Sequence, residues 1–378
     1  MARFEFATAQ RVIFGEGAIA EVAAAAAALG KRAVLVTGAS AERAWPLRRA
    51  LETAGVACIP FPVAGEPTVA LIRSAPREAD LVIAVGGGSA LDAGKAVAAM
   101  ITNPGDPLDY LEVIGRGQAL AAPAAPCIAI PTTAGTGSEV TRNAVLGSPE
   151  HGVKASLRSA GMLPRLALVD PELTYCLPRP ITASTGLDAL TQLIEPYLSV
   201  RANPMTDALC VDGIRSAARS VVRAWSDGGD REARAGMSWA SLLGGMALAN
   251  AGLGAVHGFA APVGGMFPAP HGAVCAAILP HAMNVNLRAV RGRAPEKLVR
   301  FDEVARLISG NPHAEAADGV VRLAELVRRL EIPPLRAYGV KDTDIEGLAA
   351  KAAQASSMKG NAVALTGEEL CEILSRSL

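Results

Sequence analysis

Short, unbroken apolar runs recur through the first half of the chain, with helix-like segments between them. Ala33-Val34-Leu35-Val36-Thr37, Ala57 to Phe61, Leu81-Val82-Ile83-Ala84-Val85, Cys127-Ile128-Ala129-Ile130 and Leu166 to Asp170 do not alternate with polar residues. Runs of that length and continuity suit strands covered on both faces of a parallel sheet. The intervening segments are the alanine run Ala23–Ala28, stopped by Gly30, then Leu47 to Ala54 and Thr68 to Ala75. Alanine is the best helix former and glycine a common stop, so these predict helices. Phe4-Glu5-Phe6 and Arg11-Val12-Ile13-Phe14 read as a hairpin ahead of the first helix. The alternation predicts a doubly wound parallel sheet, a fold in which ligands bind beyond the carboxyl ends of the strands.

Past Pro178 and Pro180 the strand signals stop, which places a boundary near residue 179: an α/β domain over 1–179 and an all-helical domain over 180–378. A helix from Gly186 to Leu198 sets Asp188 and Gln192 four residues apart on one face. Asn203-Pro204 supplies a cap and a first-turn proline for a helix running to Trp225. A helix at Trp239 to Leu248 is followed by VHGFAAPVGGMFPAPHG, in which His257 sits in one helix, Phe267 to Pro270 breaks it, and His271 begins the next.

Two places carry candidate chemistry. GGGSALDAGK, residues 86–95, joins a strand to a helix through three glycines, so the backbone can approach a ligand closely and the helix start can receive a phosphate. Asp92 lies in the first turn, where a negative charge suits the helix end. Thr37-Gly38 lies at another strand end, and the loop Pro131 to Glu139 is dense in hydroxyls and glycines that suit phosphate and ribose oxygens. Lys154, just downstream, offers a positive charge. The second place is His257 and His271, which the helix break can bring together to share a metal with Asp188.

Composition narrows the class. The chain has 378 residues, 51% hydrophobic and 19% charged, enough for two cores and too apolar for a disordered protein. Lys plus Arg equals Asp plus Glu at 36 each, so no basic surplus points to nucleic acid. The six cysteines, Cys58, Cys127, Cys176, Cys210, Cys275 and Cys371, form no CxxC pair and the N-terminus has no leader pattern, which predicts a reducing cytoplasm. The apolar stretch 245–270 is interrupted by glycines, His257 and three prolines, and is expected to be buried protein rather than a membrane span. The expected partners are a small-molecule substrate and a second copy of the chain, as a homodimer.

GGGSALDAGK, PTTAGTGSEVTRNAVL, DPELT, STGLDALTQLIEPYLS, NPMTDAL and GLGAVHGFAAPVGGMFPAPHGAVCAAILPH resemble, in order, the motifs of the iron-containing (group III) alcohol dehydrogenase family. The resemblance runs from the opening residues to the closing KGNAVALT. It implies a Rossmann-like dinucleotide-binding domain, a dehydroquinate synthase-like helical domain, and hydride transfer between NAD or NADP and a small aldehyde, ketone or alcohol, assisted by Fe2+ or Zn2+. It places Gly87, Gly88, Ser89 and Asp92 at the pyrophosphate, Thr132, Thr133, Thr141 and Lys154 near the phosphates and ribose, and Asn143 close to the nicotinamide. Gly38 stands where NAD-preferring relatives often carry an aspartate against the adenosine ribose, so NADPH is expected to be accepted.

Two departures from the family pattern stand out. Asp188, His257 and His271 occupy three metal positions and are the implied catalytic residues, but Gln192 stands where the first histidine is expected. Its neutral amide is a poorer ligand than imidazole, so the ion is expected to be weakly held or absent. Ala261 replaces the histidine that takes part in proton transfer one turn after His257, and an alanine carries no proton. One alternative is a metal-independent reductase resembling the maleylacetate reductases, whose form of the 131–139 loop this chain lacks. A glycerol-1-phosphate dehydrogenase or dehydroquinate synthase would want a basic cluster that is missing here. A dinucleotide-binding protein that has lost catalysis is the third, although three of four metal positions remain.

Overall fold

The computed structural model describes residues 3–175 and 177–378; Cys176 lies outside the described residues. The chain forms two compact units, one of Thr8–Thr133 with Gly137–Thr174, the other of the first residues to Ala7, Ala134–Thr136 and Tyr175–Leu378.

The first unit holds strands β1 (Val12–Phe14), β2 (Arg32–Thr37), β3 (Ala57–Pro62), β4 (Leu81–Gly86), β5 (Cys127–Pro131), β6 (Asn143–Ser148), β7 (Val153–Arg158) and β8 (Leu166–Val169). Its helices are α1 (Val22–Ala27), α2 (Trp45–Thr53), α3 (Val69–Arg73), α4 (Gly88–Thr102) and α5 (Pro107–Tyr110). Six strands form a sheet in the order β1-β8-β5-β4-β2-β3, with every pair parallel. β6 and β7 form a separate antiparallel ribbon. The continuous apolar runs have a direct cause. Val34, Val36, Val82 and Ala84 pack into one core with Ala93, Val97 and Met100 of α4, while Ala33, Leu35, Leu81 and Ile83 pack into another with Val22 and Leu51 of α1 and α2. Successive residues of one strand thus enter opposite layers, and neither face can be polar.

From β2 the chain passes outward to β3 and then returns to β4 on the other side of β2. That reversal opens a crevice beyond the carboxyl ends of β2 and β4, where Thr37 lies beside Val85. Two glycines allow the close packing behind it. A Cβ on Gly86 would lie 2.6 Å from the Ala90 Cβ, and one on Gly94 would lie 2.5 Å from the Ala84 Cβ, so α4 sits directly on β4.

The expected opening hairpin is not formed. β1 pairs in parallel with β8, with Val12 opposite Ala167, and Phe4–Phe6 is not a strand. Instead the Asn250 side chain bonds both backbone groups of Ala7, so that segment is held by an amide rather than a ladder.

The second unit is helical: α6 (Arg179–Leu198), α7 (Pro204–Ser226), α8 (Arg231–Ala251), α9 (Ala255–Met266), α10 (His271–Arg293), α11 (Leu298–Ser309), α12 (Ala316–Arg329), α13 (Ile345–Gln354) and α14 (Gly367–Ser377). Two helices begin earlier than their apolar spacing suggested: α6 at Arg179, with Pro180 in its first turn, and α8 at Arg231, where Asp230 caps the Ala233 N–H. Asn203 caps α7 by accepting from Met205 and Thr206. Every residue of α6 from Gly186 to Leu198 is buried, so this helix is enclosed on all sides, against α7, α8 and α10. The apolar stretch 245–270 covers the end of α8 and all of α9, which meet at 99°. α10 is long and apolar enough to cross a membrane, but 83% of its apolar window is buried within the protein.

The loop after β5 is tied down by Lys95 of α4, a fully buried side chain. Its Nζ donates to the Ser138 carbonyl and the Thr141 hydroxyl, each at 2.9 Å, and pairs with Asp92 at 3.1 Å. Burial pushes the neighbouring Glu139 carboxyl up from 4.5 to about 7, with Lys95 offsetting part of that effect. The folded protein therefore binds this proton more tightly than the unfolded chain does. The stabilisation is complete below the unfolded value and is lost as pH rises through about 7. Between about pH 5 and about pH 8 the loss is roughly 2–3 kcal/mol. Glu139→Gln should flatten that part of the stability profile in urea unfolding, and a variant that keeps the wild-type slope would place the carboxylate in water.

Candidate active site

The helix break after α9 sets the geometry of the histidine cluster. His257 is the third residue of α9 and His271 the first of α10, and Phe267 to Pro270 turns the chain so that the two rings lie 5.4 Å apart. Gly272 lets α10 press onto α6, since a Cβ there would lie 2.7 Å from the Ser184 carbonyl oxygen and 3.4 Å from the Asp188 Cβ. Gly254 does the same for the start of α9, where a Cβ would lie 2.9 Å from the Glu195 Oε1. Glu195 uses this approach fully: Oε1 accepts from the Val256 N–H at 2.7 Å and Oε2 from His257 Nδ1 at 2.6 Å.

That bond fixes which side of the His257 ring faces Asp188. A carboxylate only accepts, so Nδ1 carries a hydrogen and Nε2 is the ring atom turned toward Asp188. Nε2 lies 3.3 Å from Asp188 Oδ1, and His271 Nε2 lies 3.8 Å from the same oxygen. The other carboxylate oxygen, Oδ2, accepts from the Gln192 amide at 3.0 Å. Asp188 Oδ1, His257 Nε2 and Gln192 Oε1 are buried without a hydrogen-bond partner. Electron-rich atoms that converge where they are buried are costly unless a cation or a donor lies among them.

The electrostatics point the same way. Burial alone would raise the Asp188 carboxyl, but His271 and His257 beside it hold it below its ordinary value. Burial works against charge on His257, yet Cys275, Asp188 and Glu195 outweigh it and keep this imidazole well above the ordinary range. His271 is raised to about 9, chiefly by the Cys275 sulfur. The raised imidazoles favour protons that a divalent ion binding at Nε2 would displace.

Cys275 is the member that sequence reasoning passed over. It lies one turn after His271 on α10, buried, with Sγ 3.7 Å from His271 Nε2. Donor atoms of Asp188, His257, His271 and Cys275 all lie within 4.8 Å of one another. The available signal was the four-residue spacing of His271 and Cys275, the same spacing that singled out Asp188 and Gln192. Ala261, one turn beyond His257, is exposed.

In the α/β unit, part of the expected cofactor set comes together. α4 starts at Gly87, Gly88 and Ser89 with no side-chain cap, leaving its first N–H groups for a ligand. Thr132 N–H bonds the Gly86 carbonyl at 2.9 Å, and the Thr133 side chain lies 3.4 Å from where a Gly87 Cβ would stand. Gly38 borders open space, with nothing within 4 Å of a Cβ placed there. These residues gather at the carboxyl ends of β2, β4 and β5.

Others hold partners within the protein. Asp92 accepts from the Ser138 hydroxyl at 2.5 Å and the Val145 N–H at 2.9 Å, besides its Lys95 pair, so it anchors the loop and β6. Thr141 is buried and bonded to Lys95. Lys154, on β7, is paired with Glu66 at 2.5 Å, and Asn143 opens β6 opposite Arg158. Lys95 had no role in the sequence expectations, although it closes the GGGSALDAGK motif.

Residues 9–171 match the family described as iron-containing alcohol dehydrogenase, and residues 182–378 match the C-terminal part of the Fe-containing alcohol dehydrogenase family. Alcohol dehydrogenase 4 of Saccharomyces cerevisiae is 37% identical over 319 residues, which cover 84% of this chain and 81% of the yeast protein. A solved 1,3-propanediol oxidoreductase is similar at a TM-score of 0.92 and 34% identity, with 100% of both chains covered. The sulfoacetaldehyde reductase of Bifidobacterium kashiwanohense, solved in complex with NAD+, is similar at a TM-score of 0.87 and 28% identity, over 100% of this chain and 99% of the other. With both halves matched in order by the family's two parts, the chain belongs to the iron-containing alcohol dehydrogenase family.

Proposed function

We propose that Asp188, His257 and His271 hold a divalent ion, Fe2+ or Zn2+, and that the ends of β2, β4 and β5 hold NAD or NADP. The chain is an NAD(P)-dependent alcohol dehydrogenase, interconverting an alcohol and its aldehyde or ketone. The observation that carries the metal assignment is the pair of buried atoms, Asp188 Oδ1 and His257 Nε2, that face each other with no hydrogen-bond partner. When bound, the ion supplies Lewis acidity toward the substrate oxygen and the nicotinamide supplies or accepts the hydride.

The protein's own contribution is orientation and charge. Glu195 fixes the tautomer and direction of His257, and the Gln192 amide holds Asp188 in place. Burial of Asp188 and His257 keeps water from competing for their lone pairs, while His271, with a side chain 38% exposed, marks the accessible side. The uncapped start of α4 and the neighbouring threonines bind the cofactor diphosphate through backbone and hydroxyl donors. The five described cysteines are all free, which supports a reducing compartment.

The direct test mixes purified protein with NADH or NADPH, a panel of small aldehydes, and Zn2+ or Fe2+ after chelation. Cofactor oxidation is expected only with aldehyde and ion together. Turnover undiminished by a strong chelator would remove the ion from the reaction.

Cofactor choice follows from the open space at Gly38. Wild type is expected to turn over NADPH as well as NADH, and Gly38→Asp to depress NADPH use at least tenfold while sparing NADH, because a carboxylate there repels a 2′-phosphate. Strict NADH dependence of the wild type would contradict this. For proton transfer, Ala261→His restores an ionisable group one turn from His257. The pH–rate profile for oxidation of a small alcohol should gain an ionisation near the histidine range and a higher rate above it; an unchanged profile would place Ala261 off the reaction path.

A further inference from the structure

We propose that Cys275 is a fourth ligand of the ion, its thiolate joining Asp188, His257 and His271, while the Gln192 N–H orients Asp188 and the substrate oxygen enters as a fifth ligand. The proposal rests on the cluster being a metal centre, and it gives that centre a donor set of one sulfur, two nitrogens and one oxygen.

Distance is the first ground. A tetrahedral ion with bonds of about 2.0 Å to nitrogen and oxygen and about 2.3 Å to sulfur sets nitrogen and oxygen ligands about 3.3 Å apart and a sulfur about 3.5 Å from either. Asp188 Oδ1 to His257 Nε2 is 3.3 Å, Asp188 Oδ1 to His271 Nε2 is 3.8 Å, and Cys275 Sγ to His271 Nε2 is 3.7 Å. The first edge matches a shared ion, the other two need to contract by a few tenths of an ångström, and the whole group of donor atoms lies within 4.8 Å.

The second ground is hydrogen bonding. Gln192 uses its amide N–H on Asp188 Oδ2, the oxygen other than the one both histidines approach, so it steers the carboxylate, while its own Oε1 is buried without a partner. Asp188 Oδ1 and His257 Nε2, 3.3 Å apart in side chains almost wholly buried, are left without partners. They belong to the same group of donor atoms as Cys275 Sγ, all within 4.8 Å of one another.

The third ground is chemical. Binding forms a sulfur–metal bond as the thiol proton leaves to solvent, so the ion acquires an anionic, polarizable ligand where the amide of Gln192 would give a weak neutral one. One thiolate also shifts preference toward Zn2+ and Co2+ over the harder Fe2+. A buried cysteine that merely fills space would do none of this.

Co2+ reports both its geometry and its sulfur ligands in its absorption spectrum. Chelator-treated wild type should bind one equivalent of Co2+, with intense visible bands of a tetrahedral ion and a near-ultraviolet thiolate-to-cobalt band. Cys275→Ala should keep metal binding at least tenfold weaker, lose the near-ultraviolet band, and lose part of the preference for Zn2+ over Fe2+. If the alanine variant does not fold, Cys275→Ser supplies the same comparison at nearly unchanged volume. Retention of the band and the affinity in these variants would overturn the assignment of Cys275 and leave the metal centre standing. Failure of wild type to bind Co2+ at all would overturn both.

Discussion

A buried carboxylate oxygen with no hydrogen-bond partner is the constraint that orders the helical unit. Asp188 Oδ1 lies on a helix segment buried on every side, and the atoms nearest to it include Nε2 of His257. Burying such a charge without compensation destabilises a fold by several kcal/mol, so the surroundings must supply positive charge. Glycine at 272 and 254, the break at Phe267 to Pro270, and the Glu195 bond to His257 each bring a group to this point. In the α/β unit a buried charge is handled differently. Lys95 finds its partners within the fold, in Asp92, Ser138 and Thr141, and the result is a rigid loop beside an uncapped helix start.

These two solutions explain which sequence features are ligand-facing. Where charges satisfy each other, as with Asp92 and Lys95, they build scaffold. Where acceptors converge without donors, as with Asp188 and His257, a cation is called for.

The parallel sheet was legible because strands such as Leu81–Gly86 are sandwiched between two cores and cannot show polar positions. The helix break and the meeting of His257 with His271 were legible from Pro268 and Pro270. The opening segment was not, because the partner of β1 is β8, some 150 residues away, and no local pattern encodes that pairing. Asp92, Thr141 and Lys154 were expected near the cofactor from the family resemblance, and their ties to Lys95 and Glu66 emerge only from three-dimensional placement. Cys275 escaped notice for the opposite reason: a lone cysteine has no sequence signature, and its proximity to His271 becomes meaningful only once Asp188 and His257 converge on the same point.

That the Asp188 cluster is a cation site is the claim on which the rest depends, and ion-linked stability tests it most directly. Thermal unfolding of chelator-treated protein should be followed as free Zn2+ is raised. A ligand bound only by the folded state stabilises it by RT ln(1 + [L]/Kd), so the midpoint is expected to climb steadily with the logarithm of ion concentration above Kd. A midpoint that stays constant across the titration would contradict a cation at Asp188.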